Sequence, residues 1–364
     1  MNNDSIRSSL LDWYDVHKRE MPWRGINDPY RTWVSEVMLQ QTRVDQAAPY
    51  YKRFIERFPT VEILAEAGQQ EVLRVWEGLG YYRRARHLHE AARTVVEEFG
   101  GELPDSWEEI TRLKGIGPYT AAAVLSIAFG RPHAVVDGNV LRVLTRYFGL
   151  DGDIRKSAVK NEVQELADGL LDPERPGDFN QAVMELGAMV CTPGSPDCGK
   201  CPLQDGCEAA RTARQDEIPY KSPPKKRPHH QIGVGVVRDG EGSVLIALRP
   251  EGAMLGGLWE FPGGKQESGE ELEETVRREL REELGVEVVV EKPLMKVDHA
   301  YSHLTVSLNV FLCSLASGTP EARDSQEVRW VALEELDDYP FPKANRAITE
   351  KLQNLGRGQQ ELKI

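Results

Sequence analysis

With 364 residues, 40% of them hydrophobic and 28% charged, the chain has an ordinary globular composition and length enough for two or three domains. No apolar run approaches the ~18 residues of a membrane span, and the first twenty residues lack the basic-then-apolar order of a secretion signal, so a cytoplasmic chain is expected. The net charge of -13 excludes a uniformly basic nucleic-acid binder. Local clusters therefore decide the question, and two stand out: Arg83-Arg84-Ala85-Arg86, and Lys221 with Lys225-Lys226-Arg227.

The spacing of Ile6, Leu10, Trp13 and Tyr14 predicts an amphipathic helix over 5–20, with Ser5 as its cap. A second helix is expected over 30–45, where Trp33, Val34, Val37, Met38 and Gln41 recur at helical spacing. Glu36 lies beside that apolar face. A carboxylate there is either paired structurally or kept for proton transfer. Gln40 and Gln41 sit at the helix end. Further helices over 46–100 are broken at Pro59, Gly68 and Gly78. The stretch Gly78-Leu79-Gly80-Tyr81-Tyr82-Arg83-Arg84 then combines a flexible backbone with aromatics, which can wedge between bases, and arginines, which can reach phosphates.

A short helix over 102–112, capped near Asp105 or Ser106, leads into Leu113-Lys114-Gly115-Ile116-Gly117-Pro118-Tyr119-Thr120-Ala121. This glycine-punctuated turn reads as an ordinary helix–turn–helix or as a backbone grip for a phosphate at a helix N-terminus. Some twenty residues on, Val136-Asp137-Gly138-Asn139 sets a lone carboxylate among apolar residues. Helices are expected over 157–171 and 178–190. Four of the five cysteines follow, Cys191-x6-Cys198-x2-Cys201-x5-Cys207. Disulfides are not expected in a cytosolic chain. Zinc would call for two paired knuckles, whereas one C-x-x-C flanked by wider gaps suits a four-iron cluster.

Residues 215–230 break periodicity and carry four prolines, as a linker does. Beyond them the period changes from 3.6 to 2. Strands are expected over 233–237 and 243–248 around Asp239-Gly240, and over 286–290, 304–314 and 328–332. Helices fit 270–284 and 343–355, which makes an α+β domain, and Cys313 falls at a core position of a strand. Inside it stands a complete Nudix box, Gly264-x5-Glu270-x7-Arg278-Glu279-Leu280-x-Glu282-Glu283-x-Gly285-Val286. Its glycine loop feeds a helix whose Glu279, Glu282 and Glu283 share one face.

The hairpin, the aspartate and the cysteine spacing resemble the helix-hairpin-helix base-excision glycosylases, including endonuclease III. Joined to a Nudix domain, they resemble the adenine DNA glycosylase family over nearly the whole chain. The resemblance implies a multi-domain protein. Residues 1–214 would form an all-α glycosylase domain with an iron–sulfur loop at 191–207, followed by a linker (215–230), a Nudix-like lesion-recognition domain (231–355) and a tail (356–364). It implies a [4Fe-4S] cluster on Cys191, Cys198, Cys201 and Cys207. The implied substrate is double-stranded DNA in which adenine is mispaired with 8-oxoguanine or guanine, and the implied worker is a nucleoid-associated monomer.

By the same resemblance, Glu36 is the acid for adenine N7 and Asp137 the carboxylate facing the sugar. Tyr119 and Asn139 orient that pair, and Arg19 and Trp23 pack around the acid. Gln41 and Tyr81 fill the vacated stack, and the amides at Gly115 and Gly117 hold phosphate. The His299-Ala300-Tyr301-Ser302-His303 loop reads the 8-oxoguanine side through Ser302 and His303, with Tyr301 in place of the family's usual phenylalanine. Endonuclease III carries a lysine nucleophile where this chain has Tyr119. Without an amine there, lyase chemistry by that route is closed, which implies a monofunctional enzyme.

Overall fold

The first helix begins two residues earlier than its apolar spacing suggests. In a computed structural model that describes residues 2–223 and 226–361, it runs Asn3–His17. Asn2 is the cap in place of Ser5: its side-chain oxygen accepts from the Ser5 amide at 2.9 Å and the Ser5 hydroxyl at 2.7 Å. Asparagine in extended backbone reaches the free amides of the first turn, and Ser5 already lies inside that turn. Lys225 of the second basic cluster and residues 362–364 of the tail lie outside the described residues. The last helix, Lys343–Glu361, continues into the stretch expected to be tail. Among the described residues, no helix is long and apolar enough to cross a membrane.

Two compact units form. One comprises Met1–Glu66 and His87–Pro224, the other Ala67–Arg86 and Lys225–Ile364. In the first unit, Ile6, Leu10 and Tyr14 of the first helix share a core with Leu144, Val163, Phe179 and Leu186. These come from the helices Gly138–Phe148, Ser157–Leu170 and Pro176–Met189. Each such buried leucine contributes roughly 2 kcal/mol. The helix Pro29–Leu39 is capped by Asp28, whose carboxylate accepts from the Arg31 amide, and starts on Pro29, whose missing N–H costs nothing there. Almost its whole circumference is buried, and it packs on Pro118–Phe129, whose Ala121-Ala122-Ala123 run permits close approach.

The expected linker is anchored over its first half. Ile218 is buried, its carbonyl accepts from Arg146 at 2.7 Å, and the Tyr220 carbonyl accepts from the Ile154 amide at 3.1 Å.

In the second unit, seven strands form one mixed sheet: β1 (His229–Arg238), β2 (Val244–Leu248), β3 (Trp259–Glu260), β4 (Gly263–Lys265), β5 (Glu287–Ala300), β6 (Thr305–Ser317) and β7 (Glu327–Val331). The order is β3-β2-β1-β6-β5, with β4 on β1 and β7 on β2. β1 and β6 run parallel in register from His229↔Thr305 to Arg238↔Ser314; the other pairs are antiparallel. Period-two alternation sends Val236 to one face and Val237 to the other. The first face packs with Ile348 and Leu352 of the last helix, the second with Val276, Leu280 and Leu284 of the Leu272–Leu284 helix and with Cys313. Residues 67–86 group with this sheet through bonds such as those from Gln70 Nε2 to the Gly257 carbonyl (2.9 Å) and from the Trp259 indole to Gln70 Oε1 (3.2 Å).

Candidate active site

Glu36 projects from the Pro29–Leu39 helix into the first unit and is 5% exposed. The Tyr119 hydroxyl, in the first turn of the facing helix, donates to its Oε2 at 3.0 Å. Among the described residues no cation lies within ion-pair distance of it. Burial pushes the Glu36 carboxyl up to about 7, against the Tyr119 hydrogen bond and a moderating Arg24 charge; the Asp137 charge adds to the rise. Near neutral pH such a group holds its proton and can give it up, which is what a general acid needs.

Asp137 is the N-cap of Gly138–Phe148. Its Oδ1 accepts from the Asn139 amide at 2.8 Å and the Val140 amide at 2.7 Å, and its Oδ2 from the Asn139 side chain at 2.8 Å. Burial lifts this carboxyl as well, but three donors at the positive end of a helix favour its anion. Glu36 has one such donor. The two carboxyls thus have unequal support, and the charged form is the better stabilised at Asp137. Asn139 is held in turn: its carbonyl accepts from Arg142 Nη2 at 2.8 Å. The same guanidinium reaches the Gly187 carbonyl (2.7 Å) and, through Nε, the Cys191 carbonyl (2.7 Å).

For Arg19 and Trp23, expected to pack around the acid, the contacts seen are with other residues. Arg19 makes a two-pronged pair with buried Glu185, at 2.8 Å on each oxygen, and Arg24 joins at 3.2 Å. Trp23 packs edge-on to Tyr51. Burial pushes the Glu185 carboxyl up, but the two guanidiniums outweigh it and hold it below the glutamate range. Arg24, Arg142 and Glu185 escaped the sequence reading. Glu185 carried a usable signal, a carboxylate set between Met184 and Leu186 in the apolar second half of its helix.

The hairpin runs from the short helix Trp107–Ile110, capped by the Ser106 hydroxyl, to Pro118. Gly115 adopts φ +79°, and a Cβ there would stand 2.7 Å from His87, so glycine is required on two counts. Gly117 caps Pro118–Phe129 with no side chain over the helix N-terminus, leaving the first-turn amides open. Gln41 (φ +59°) and Tyr81 (φ +50°) are two of four non-glycine residues with left-handed backbone among the described residues, and both are exposed. Such backbone costs on the order of 1–3 kcal/mol and concentrates at functional positions. Ser302 and His303 stand exposed at the tip of the β5–β6 hairpin, closed by the Tyr301 amide on the Leu304 carbonyl at 2.8 Å. Tyr301 turns back onto the sheet core and meets His299 edge-on.

Cys191, Cys198, Cys201 and Cys207 are free and half-buried around two single 3-10 turns, Cys198–Lys200 and Gln204–Gly206. The Cys201 amide bonds the Cys198 carbonyl at 3.1 Å, and Arg146 donates to Cys191 Sγ at 3.3 Å. Burial pushes the Cys201 thiol up to about 12, and the neighbouring thiolates add to the rise. Four soft donors that resist ionising together suit a cationic core that neutralises them, and the set fits a [4Fe-4S] cluster. Purified protein should carry about four iron atoms per chain and a visible charge-transfer band, and Cys198→Ser should lose most of both. A colourless protein with one zinc would overturn this assignment.

In the Nudix box, Arg278 ties the loop to the helix by bonds to Glu270, Glu279, Glu282 and the Lys265 carbonyl. Glu283 accepts from the Gly263 amide at 3.2 Å, and burial together with Glu260 and Glu279 pushes its carboxyl up to about 8.

Three families match in chain order. Residues 34–168 match the HhH-GPD superfamily of base excision DNA repair proteins, residues 191–207 the iron–sulfur binding domain of endonuclease III, and residues 233–351 the Nudix domain. The adenine DNA glycosylase of Homo sapiens is 36% identical over 91% of this chain and 71% of its own length. That of Buchnera aphidicola subsp. Schizaphis graminum is 30% identical over 94% of this chain and 96% of its own. Among solved structures, a thermostable thymine-DNA glycosylase superposes with a TM-score of 0.52 at 30% identity, covering 58% of this chain and 97% of that one. Hairpin, cysteine loop and Nudix domain thus occur in one order, with relatives alike over most of the chain: it belongs to the adenine DNA glycosylase family.

Proposed function

We propose that this protein binds double-stranded DNA as a monomer and removes adenine mispaired with 8-oxoguanine or guanine by hydrolysing the N-glycosidic bond. The observation that carries the reading is the unequal support of two buried carboxyls, one hydrogen-bond donor on Glu36 and three on Asp137. Adenine inside a duplex is out of reach, so it is flipped out at a cost of a few kcal/mol. Gln41 and Tyr81 fill the space it leaves, and the hairpin amides at Gly115 and Gly117 hold a backbone phosphate. Glu36 then protonates N7, which turns adenine into a competent leaving group. Asp137 stabilises the positive charge that develops at C1′. Tyr119 keeps Glu36 in place, and Asn139 does the same for Asp137.

Ser302 and His303 read the opposite base. Recognition, not nucleotide hydrolysis, is the work assigned to the Nudix-like domain, because it is joined in one chain to a glycosylase domain.

Duplexes with adenine opposite 8-oxoguanine provide the test. Strand scission should appear only after alkali, and 8-oxo-dGTP with magnesium should remain intact beside the same protein. Scission without alkali would favour a glycosylase/lyase, and binding without base release a silent DNA-binding protein.

A further inference from the structure

The loop Gly78–Tyr81 is fastened at both ends to a single residue of the sheet-bearing unit. At its leading end, the Glu77 carboxylate accepts from the Phe341 amide at 3.0 Å, from Arg346 Nε at 3.0 Å, and from Arg346 Nη2 at 2.6 Å on each oxygen. At its trailing end, the Tyr82 hydroxyl donates to the Phe341 carbonyl at 3.3 Å and accepts from the Gly78 amide at 3.2 Å. One residue's N–H and C=O therefore grip the two flanks. Phe341 is itself fixed. Its ring is fully buried, and Pro340 and Pro342 restrict the backbone on either side. Arg346 is steadied by Asp337 at 2.9 Å and the Tyr339 carbonyl at 3.2 Å.

Between the two anchors the backbone turns left-handed at Gly78, Gly80 and Tyr81. The Gly80 carbonyl accepts from the Trp76 indole at 3.0 Å and from Arg84 at 3.2 Å. Leu79 and Tyr82 are buried, while Tyr81 stands 44% exposed with the Arg84 guanidinium on its ring. An exposed aromatic on strained backbone keeps that conformation only where its surroundings over-determine it. Here they do so from the partner side of the clamp.

We infer that Glu77, the Phe341 main chain and Arg346 form a clamp through which the Nudix-like domain sets the pose of the Tyr81 loop, making Glu77 and Arg346 positioning residues for base extrusion. The inference rests on the reading of Tyr81 as the aromatic that fills the vacated stack. The domain thus acts on the adenine strand as well as on the base opposite.

The full-length, cluster-loaded protein provides the test, on mispaired duplexes with 2-aminopurine next to the target adenine. Arg346→Ala and Glu77→Gln should each lower the fluorescence rise on unstacking and slow single-turnover excision about tenfold, with the pH profile of excision unchanged. The double variant should be no worse than either single one, since both break one contact. Should Arg346→Ala fail to fold, Glu77→Gln, which keeps the side-chain shape, carries the test. Tyr81→Ser is the reference. If it impairs unstacking while the clamp variants do not, the inference falls and the wedge reading stands. If Tyr81→Ser is itself silent, both fall.

Discussion

Glu36→Gln should stop adenine release, lowering the single-turnover rate about a thousandfold, while leaving duplex binding intact. The glutamine keeps the shape and can still accept from Tyr119, but it has no proton to give. The protein should also become more stable at high pH. The carboxyl titrates at about 7 in the folded chain against 4.5 when unfolded. Between those values the folded state keeps a proton that the unfolded state has lost, so stability falls as pH rises through this window and levels off above it. The penalty amounts to about 3 kcal/mol. The variant escapes it, so its melting temperature should exceed that of the parent at pH 8 and match it near pH 4. Parent excision should decline above about pH 7 as Glu36 loses its proton. Retained turnover in the variant, or equal melting at both pH values, would remove Glu36 from this role.

Asp137→Asn should cost about 10²–10³ in excision rate with little change in melting temperature. Asparagine is as good an N-cap as aspartate, so the bonds to the Asn139 and Val140 amides can persist and the Gly138–Phe148 helix keeps its start. What disappears is the charge proposed to face the sugar cation. Asp137→Ala serves as the contrast, because it removes charge and cap together and should lose about 1 kcal/mol of stability besides. Excision kinetics and calorimetry on the two variants separate the roles. A large melting loss in Asp137→Asn, or a small rate loss, would assign the residue to structure alone.

The two glutamates of the first unit show where sequence reading stops. Glu36 was open to both an ion-pair and a proton-transfer reading, and Glu185, set between apolar neighbours in the same way, was not singled out. One meets a tyrosine hydroxyl, the other two arginines from the stretch 19–24. Periodicity places a side chain on a face, but it does not say which loop will cross that face. Motifs fared better where local backbone carries the signal, as at Gly115 in the hairpin and at Asp137, whose cap is made by its own next residues. Non-local pairings stayed hidden. The parallel β1–β6 ladder joins segments some seventy-six residues apart, as at His229↔Thr305, and strand patterning is blind to partner choice. The grouping of 67–86 with the sheet was hidden for the same reason, since nothing in a helical stretch names a distant proline-flanked phenylalanine.

The aspartate's restraints also bear on how readily the gene tolerates change. Two of the three donors that aim the carboxylate are main-chain amides, which every amino acid except proline supplies. Codon changes at Val140 therefore leave its donor in place unless they introduce proline. Only Asn139 lends a side chain directly, and Arg142 steadies that one. The mutational target around Asp137 is correspondingly small, because most of what aims its carboxylate is main chain that substitutions of the neighbours leave in place.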